Sequence, residues 1–105
     1  MITLRKVTAD DVTVRIYTHY EHEAIASDLS ECCTPEEIRA LQCRVDDGDE
    51  WAWCGVEVRV TWNGIEGADY LGCCSYESEA DFRASGCFAD MLEMALDQVN
   101  AEIEI

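Results

Sequence analysis

The chain has few basic residues, since one lysine and six arginines stand against 23 aspartates and glutamates in 105 residues. The formal net charge is therefore −16 at pH 7. A surface of this sign is repelled by the phosphates of nucleic acid and of anionic lipid, so neither is expected as a direct partner. Solubility alone requires a net charge of only about 2–8 in magnitude, so the excess predicts a partner selected by charge.

Long apolar runs are also absent from the sequence. No stretch approaches the roughly 20 apolar residues of a membrane-spanning helix, and the N-terminal residues lack the apolar run of a signal peptide. One proline, six glycines and 49% hydrophobic residues make a composition that folds, because disordered acidic chains are poor in apolar side chains. We therefore expect a single cytoplasmic domain over residues 1–105, with a radius of gyration near 13 Å, about the usual value for this length.

The seven cysteines are an odd number and lack a repeated C-x-x-C spacing. In a cytoplasmic protein this pattern favours reduced thiols that act as small buried apolar side chains. His19 and His22 could supply metal ligands, but on a strand they would point to opposite faces, and no second cluster completes four ligands. We expect no cofactor and no metal site, with a Cys/His metal-binding protein as an alternative.

Alternating apolar and polar residues predict strands over residues 11–20 and 51–62, and residues 2–7 form a further candidate strand. Asn63-Gly64 predicts a turn that ends near Gly67, with a return strand over 68–76. The valine-rich face of the central strand is expected to be buried. Its other face would then be exposed to solvent, unless a dimer covers it. The side chains expected on that face are those of Trp51, Trp53, Glu57 and Arg59.

Two helix starts have clear capping signals. Thr34 is followed by Pro35 at the first helical position and by Glu37, which completes a capping box, and Gly48 ends this helix. Ser78 with Asp81 caps a short helix, and a longer one follows with an apolar stripe at Phe88, Met91, Leu92, Ala95 and Val99. The order β(β)αββα predicts an α+β fold, with a three- to four-stranded, mainly antiparallel sheet and two main helices on one face.

The acidic residues form two clusters, which we call the acidic ridge (Asp90, Glu93 and Asp97) and the acidic turn (Asp46, Asp47, Asp49 and Glu50). The acidic ridge recurs at helical spacing opposite the apolar stripe. A solvated helix face usually mixes signs to gain i,i+4 pairs, yet the only base after Arg59 is Arg83. All seven acids are therefore candidate partner-binding residues. A halophilic cytoplasm is an alternative source of the charge.

Trp51 and Trp53 are candidate anchors for the same partner, because they are predicted on the outer sheet face beside the acidic turn. Indole buries a large area at low entropic cost and is common at binding hot spots. A second core or a covering loop is the alternative use of these rings. No catalytic motif accompanies them. Adjacent acids are expected by chance among 23 acidic residues, and no phosphate-binding glycine loop occurs. The cysteines give no specific sign of a nucleophile, because any of the seven could lie beside either histidine. The sequence therefore does not predict an enzyme.

Two segments, Trp51–Val58 and Asp69–Tyr76, followed by Asp81-Phe82 and Phe88–Met91, resemble a group of small phage and prophage proteins of uncharacterised function. In size and charge the chain also resembles, by type alone, phage anti-CRISPR and anti-restriction proteins, several of which are acidic mimics of DNA. The first resemblance implies no activity, whereas the second implies an inhibitor that acts in the cytoplasm of an infected bacterium. It would bind a host defence complex as a monomer or homodimer, and CRISPR–Cas is the preferred candidate for that complex. A protein-interaction module of phage physiology without DNA mimicry is the alternative.

Overall fold

The structure is a computed structural model that describes residues 6–103, apart from the side chains of residues 27 and 28. Three strands, β1 (Thr13–His19), β2 (Cys54–Trp62) and β3 (Ile65–Cys74), form an antiparallel sheet in the order β1-β2-β3. A 3-10 turn at Ala9–Asp11 precedes β1, and the helices are α1 (Ile25–Leu29), α2 (Pro35–Asp46), α3 (Glu79–Arg83) and α4 (Gly86–Glu102). The predicted α+β class with an antiparallel sheet is confirmed. The candidate strand over residues 2–7 lies mostly outside the described residues, and Lys6 and Val7 are not in a strand.

The β2–β3 hairpin turns on two residues, Asn63 and Gly64, which have φ angles of 51° and 84°. Positive φ at both positions matches the twist of the flanking strands, and Asn-Gly is the sequence that favours it. Trp62 therefore pairs directly with Ile65. The predicted turn is confirmed in place but is shorter than expected, so β3 begins at Ile65 rather than at residue 68.

The core lies between one face of the sheet and α4. Val56, Val58 and Val60 of β2 are fully buried, as their alternation predicts. The apolar stripe of α4 covers them, and its buried residues are Met91, Ala95 and Val99. The helix lies very close to β3 at Gly67, where a Cβ atom would overlap the carbonyl oxygen of Ala95.

Capping chemistry fixes the helix starts as predicted. The Thr34 hydroxyl accepts the backbone N–H of Glu37 at 3.2 Å, and the Glu37 carboxylate accepts the N–H of Thr34 at 2.9 Å. The Ser78 hydroxyl likewise accepts the N–H of Asp81 at 3.2 Å. Helix α2 has no buried residue and packs mainly against α1, so α4 is the helix that seals the described part of the sheet.

The molecule is more extended than its length predicts. Its radius of gyration is 17.0 Å and its principal extents are 62 × 24 × 22 Å, against the roughly 13 Å expected for a compact chain. The accessible surface is 6863 Å², where area scaling gives about 5,900 Å². The α1–α2 pair packs mainly on itself and has few contacts with the sheet. No helix within residues 6–103 is both long and apolar enough to cross a membrane.

The prediction that Trp51 faces solvent from the outer sheet face is wrong. Strand β2 begins at Cys54, three residues later than expected, because Asp49 first turns the chain by accepting the N–H of Trp51 at 3.0 Å. The Trp51 ring packs instead against Phe82 and Tyr76, with ring centroids 5.7 Å and 6.4 Å away. Glu57 and Arg59 do lie on the outer face as expected, where they form an ion pair of 2.7 Å.

The cysteines occupy buried, half-buried and exposed positions. Cys54 and Cys74 are core residues, and burial raises the pKa of their thiols to about 12 and about 11. The interpretation of most cysteines as buried apolar side chains is wrong, because Cys33 and Cys73 are half-buried and three more are exposed, namely Cys32, Cys43 and Cys87. Cys73 has a φ of 55° because β3 contains one extra residue opposite Gly55, which forms a bulge.

Candidate partner-binding surface

The acidic ridge lies where the sequence predicts it, on the exposed face of α4. Asp90, Glu93 and Asp97 are all exposed, and the buried stripe of the same helix points the other way, into the core. Within residues 6–103 no ion pair or hydrogen bond of these three carboxylates is found. The acidic ridge is therefore an exposed row of negative charge.

The acidic turn is less uniform than its sequence suggests. Asp46, Asp47 and Glu50 are exposed, and Asp46 accepts a hydrogen bond of 2.9 Å from the neutral amide of Gln42. Asp49 is half-buried and bonds the guanidinium of Arg44 at 2.9 Å, which lowers the pKa of the Asp49 carboxyl. Asp49 therefore shapes the turn, and the other three acids are the ones that a partner can reach.

Four of the five arginines of the described chain pair with acids outside the acidic ridge, and no ion pair between the fifth, Arg15, and a described acid is found. Arg39 pairs with Glu36 and Arg83 with Glu79, each within one helix, while Arg44 pairs with Asp49. Arg59 bridges Glu57 and Glu66 across the outer sheet face. None of these ion pairs involves the acidic ridge, so its three carboxylates have no ion-pair partner among the described residues.

Trp53 lies next to the acidic turn and lines a cleft that the sequence does not reveal. Its indole Nε1 donates a hydrogen bond of 2.7 Å to the carbonyl oxygen of Glu23, which joins the start of β2 to the loop after β1. Two neighbouring depressions, of about 310 Å³ and 240 Å³, share Trp53, Tyr20 and Val45, and we refer to the two together as the cleft. Tyr20 is 80% exposed and Val45 is 36% exposed. Only Trp53 of this apolar lining was a candidate from sequence, because the other two residues come from distant elements.

The histidines take structural contacts in this region. His19 Nε2 lies 3.0 Å from Glu57 Oε1, and the His22 ring meets the Tyr20 ring edge-on at 4.8 Å. In the part of the chain that the structure describes, no three side chains of His, Cys, Asp or Glu are placed to hold a metal ion.

The free acids predict that moderate salt stabilises the fold. Raising sodium chloride from about 0.01 M to 0.1 M shortens the Debye length from about 30 Å to 10 Å and screens their repulsion. We expect thermal melts to show a midpoint higher by about 4–8 °C, the shift that about 1 kcal/mol produces in a domain of this size. The gain should be smaller in the variant Asp90→Asn, Glu93→Gln, Asp97→Asn. A midpoint that stays constant or falls with salt would contradict a dense, unpaired acidic surface.

Comparisons of the chain with protein-family models, with curated proteins and with solved structures found no match. The charge and geometry of the described residues are therefore what supports a proposal for its function.

Proposed function

We propose that this protein binds the basic nucleic-acid-binding surface of a partner protein and blocks it with carboxylates that stand in for phosphates. The observation that carries the proposal is the acidic ridge, whose three exposed carboxylates have no counter-charge among the described residues. Lys and Arg side chains placed for phosphates also pair with carboxylates, and the net charge of −16 speeds the encounter by electrostatic steering.

The spacing of the acidic ridge supports this type of partner. Asp90 and Asp97 are seven residues apart on α4, which is about 10.5 Å along the helix axis. Three charges over this length give about one charge per 5 Å, whereas one DNA strand has a phosphate per about 3.4 Å of axis. The acidic ridge is thus a row with about two-thirds of the linear charge density of one nucleic-acid strand.

The likeness in size and charge to phage anti-CRISPR and anti-restriction proteins leads us to name a host defence complex as the partner, most specifically a CRISPR–Cas complex. In this proposal the protein acts in the cytoplasm of the infected bacterium, binds without catalysis, and excludes nucleic acid by occupying its channel. The acidic turn adds Asp46, Asp47 and Glu50 to the negative surface, and Trp53 stands beside them.

A capture experiment with competing DNA tests the proposal. The purified protein is immobilised, exposed to host lysate at about 0.05 M salt, and then washed with either duplex DNA or an equal concentration of a neutral polymer. We expect a captured nucleic-acid-binding protein that duplex DNA releases and the neutral polymer does not. Steric occlusion of a phosphate-binding surface requires that release, because the two polyanions cannot occupy the same basic groups. A specific partner that remains bound in saturating DNA would overturn the proposal.

A further inference from the structure

The cleft beside Trp53 has a lining that fits a cation with a flat apolar face. The acidic residues that line it are Glu21, Glu23 and Glu50, in addition to the Arg44-bound Asp49. Neither depression is lined by a lysine or arginine of the described chain. Uncompensated negative charge next to exposed aromatic surface is the combination that attracts organic cations.

Several contacts hold this arrangement in place without a ligand. The Glu21 carboxylate accepts the N–H of Cys73 at 2.6 Å and that of Glu23 at 3.1 Å, and these bonds lower the pKa of Glu21. The single donor of the Trp53 indole is already used by the Glu23 carbonyl, so its π surface is what Trp53 offers a ligand. The Glu21 carboxylate and the Trp53 ring are therefore held in place before a ligand binds.

We infer that this cleft binds an arginine side chain presented by a basic segment of the partner protein. A guanidinium stacks on aromatic rings and bonds carboxylates in a planar fork, which the compact ammonium of lysine does not do. The larger depression, about 310 Å³, lies at the lower end of the 300–1,000 Å³ range of ligand clefts, which suits one side chain. The inference deepens the proposed function, because it names the chemical group of the basic partner that the region beside the acidic turn selects.

The test uses a capped peptide of alternating glycine and arginine, with citrulline and lysine versions as probes. Binding is followed by the NMR signal of the Trp53 indole N–H, assigned by its loss in the variant Trp53→Phe. We expect the arginine peptide to shift this signal, the lysine peptide to bind more weakly, and the neutral citrulline peptide to leave the signal unchanged. An arginine peptide that saturates the protein without moving the Trp53 signal would overturn the inference.

Two exposed tyrosines provide the matched control. Tyr20 lines both depressions, whereas Tyr17 is 41% exposed on the outer sheet face and lines neither. Tyr20→Ala should weaken binding of the arginine peptide by about fivefold or more, the effect of losing one cation–π contact, and Tyr17→Ala should not. Equal losses in both variants would mean non-specific attraction and would contradict the cleft. If DNA still displaces the partner while Tyr20→Ala has no effect, the proposed function stands and the inference alone fails.

Discussion

Replacing Phe82 with alanine is expected to lower the free energy of unfolding by about 3–5 kcal/mol. Phe82 is fully buried, and its ring centroid lies 5.1 Å from that of Tyr76 and 5.7 Å from those of Trp51 and Phe88. Alanine would leave a cavity where α3, α4 and the end of the sheet meet. The total free energy of unfolding of a small domain is only about 5–15 kcal/mol. Urea unfolding followed by circular dichroism should therefore show a large shift of the midpoint.

Tyr20→Ala is the control for this effect. It also removes an aromatic ring, but one that is 80% exposed, so we expect its unfolding free energy to stay within about 0.5 kcal/mol of the parent. A loss below about 1 kcal/mol in Phe82→Ala would show that the aromatic cluster around Phe82 is not part of the core.

Local sequence signals predicted much of the fold. Alternation over β2 identified the buried valines, Asn63-Gly64 identified the hairpin turn, and the Thr34–Glu37 pair identified the start of α2. Each of these signals depends on residues within a few positions of one another, where periodicity and capping chemistry dominate. The exposed position of the acidic ridge followed in the same way from the spacing of the α4 stripe.

The region around Trp51 could not be predicted because its structure depends on distant contacts. Arg44 bonds both Asp49 and the carbonyl oxygen of Tyr76, the latter at 2.7 Å across 32 residues. These bonds turn the chain before β2 and place Trp51 in the aromatic cluster. They also make Asp49 a structural acid, which the sequence does not distinguish from the exposed acids beside it. The cleft was missed for the same reason, since Tyr20, Val45 and Trp53 meet only in the folded chain.

Reversing the charge of the acidic ridge should abolish partner binding with little effect on the fold. Asp90→Lys, Glu93→Lys and Asp97→Lys together move the formal net charge from −16 to −10, since each replacement adds two positive units. Like charges in a basic channel cost several kcal/mol, so we expect affinity to fall by more than about a hundredfold. Neutralising a single acid, as in Asp90→Asn, should reduce the free energy of partner binding by only about 0–1 kcal/mol, because exposed ion pairs are weak.

The matched control makes the same charge change away from the acidic ridge. Asp10→Lys, Glu31→Lys and Glu77→Lys also give −10 and also alter exposed residues. This variant should lose about tenfold in affinity at most, through weaker steering of the encounter. Thermal melts of both variants check that each is folded before binding is compared.

The most direct test of the proposed function is the dissociation constant of the DNA-displaced partner for the parent and for these two triple variants, at one salt concentration. A role for the acidic ridge as a phosphate substitute predicts a loss of more than about a hundredfold in the ridge variant and about tenfold or less in its control. Equal affinities of the two folded variants would contradict that role, because binding would then depend on total charge and not on the row of carboxylates on α4.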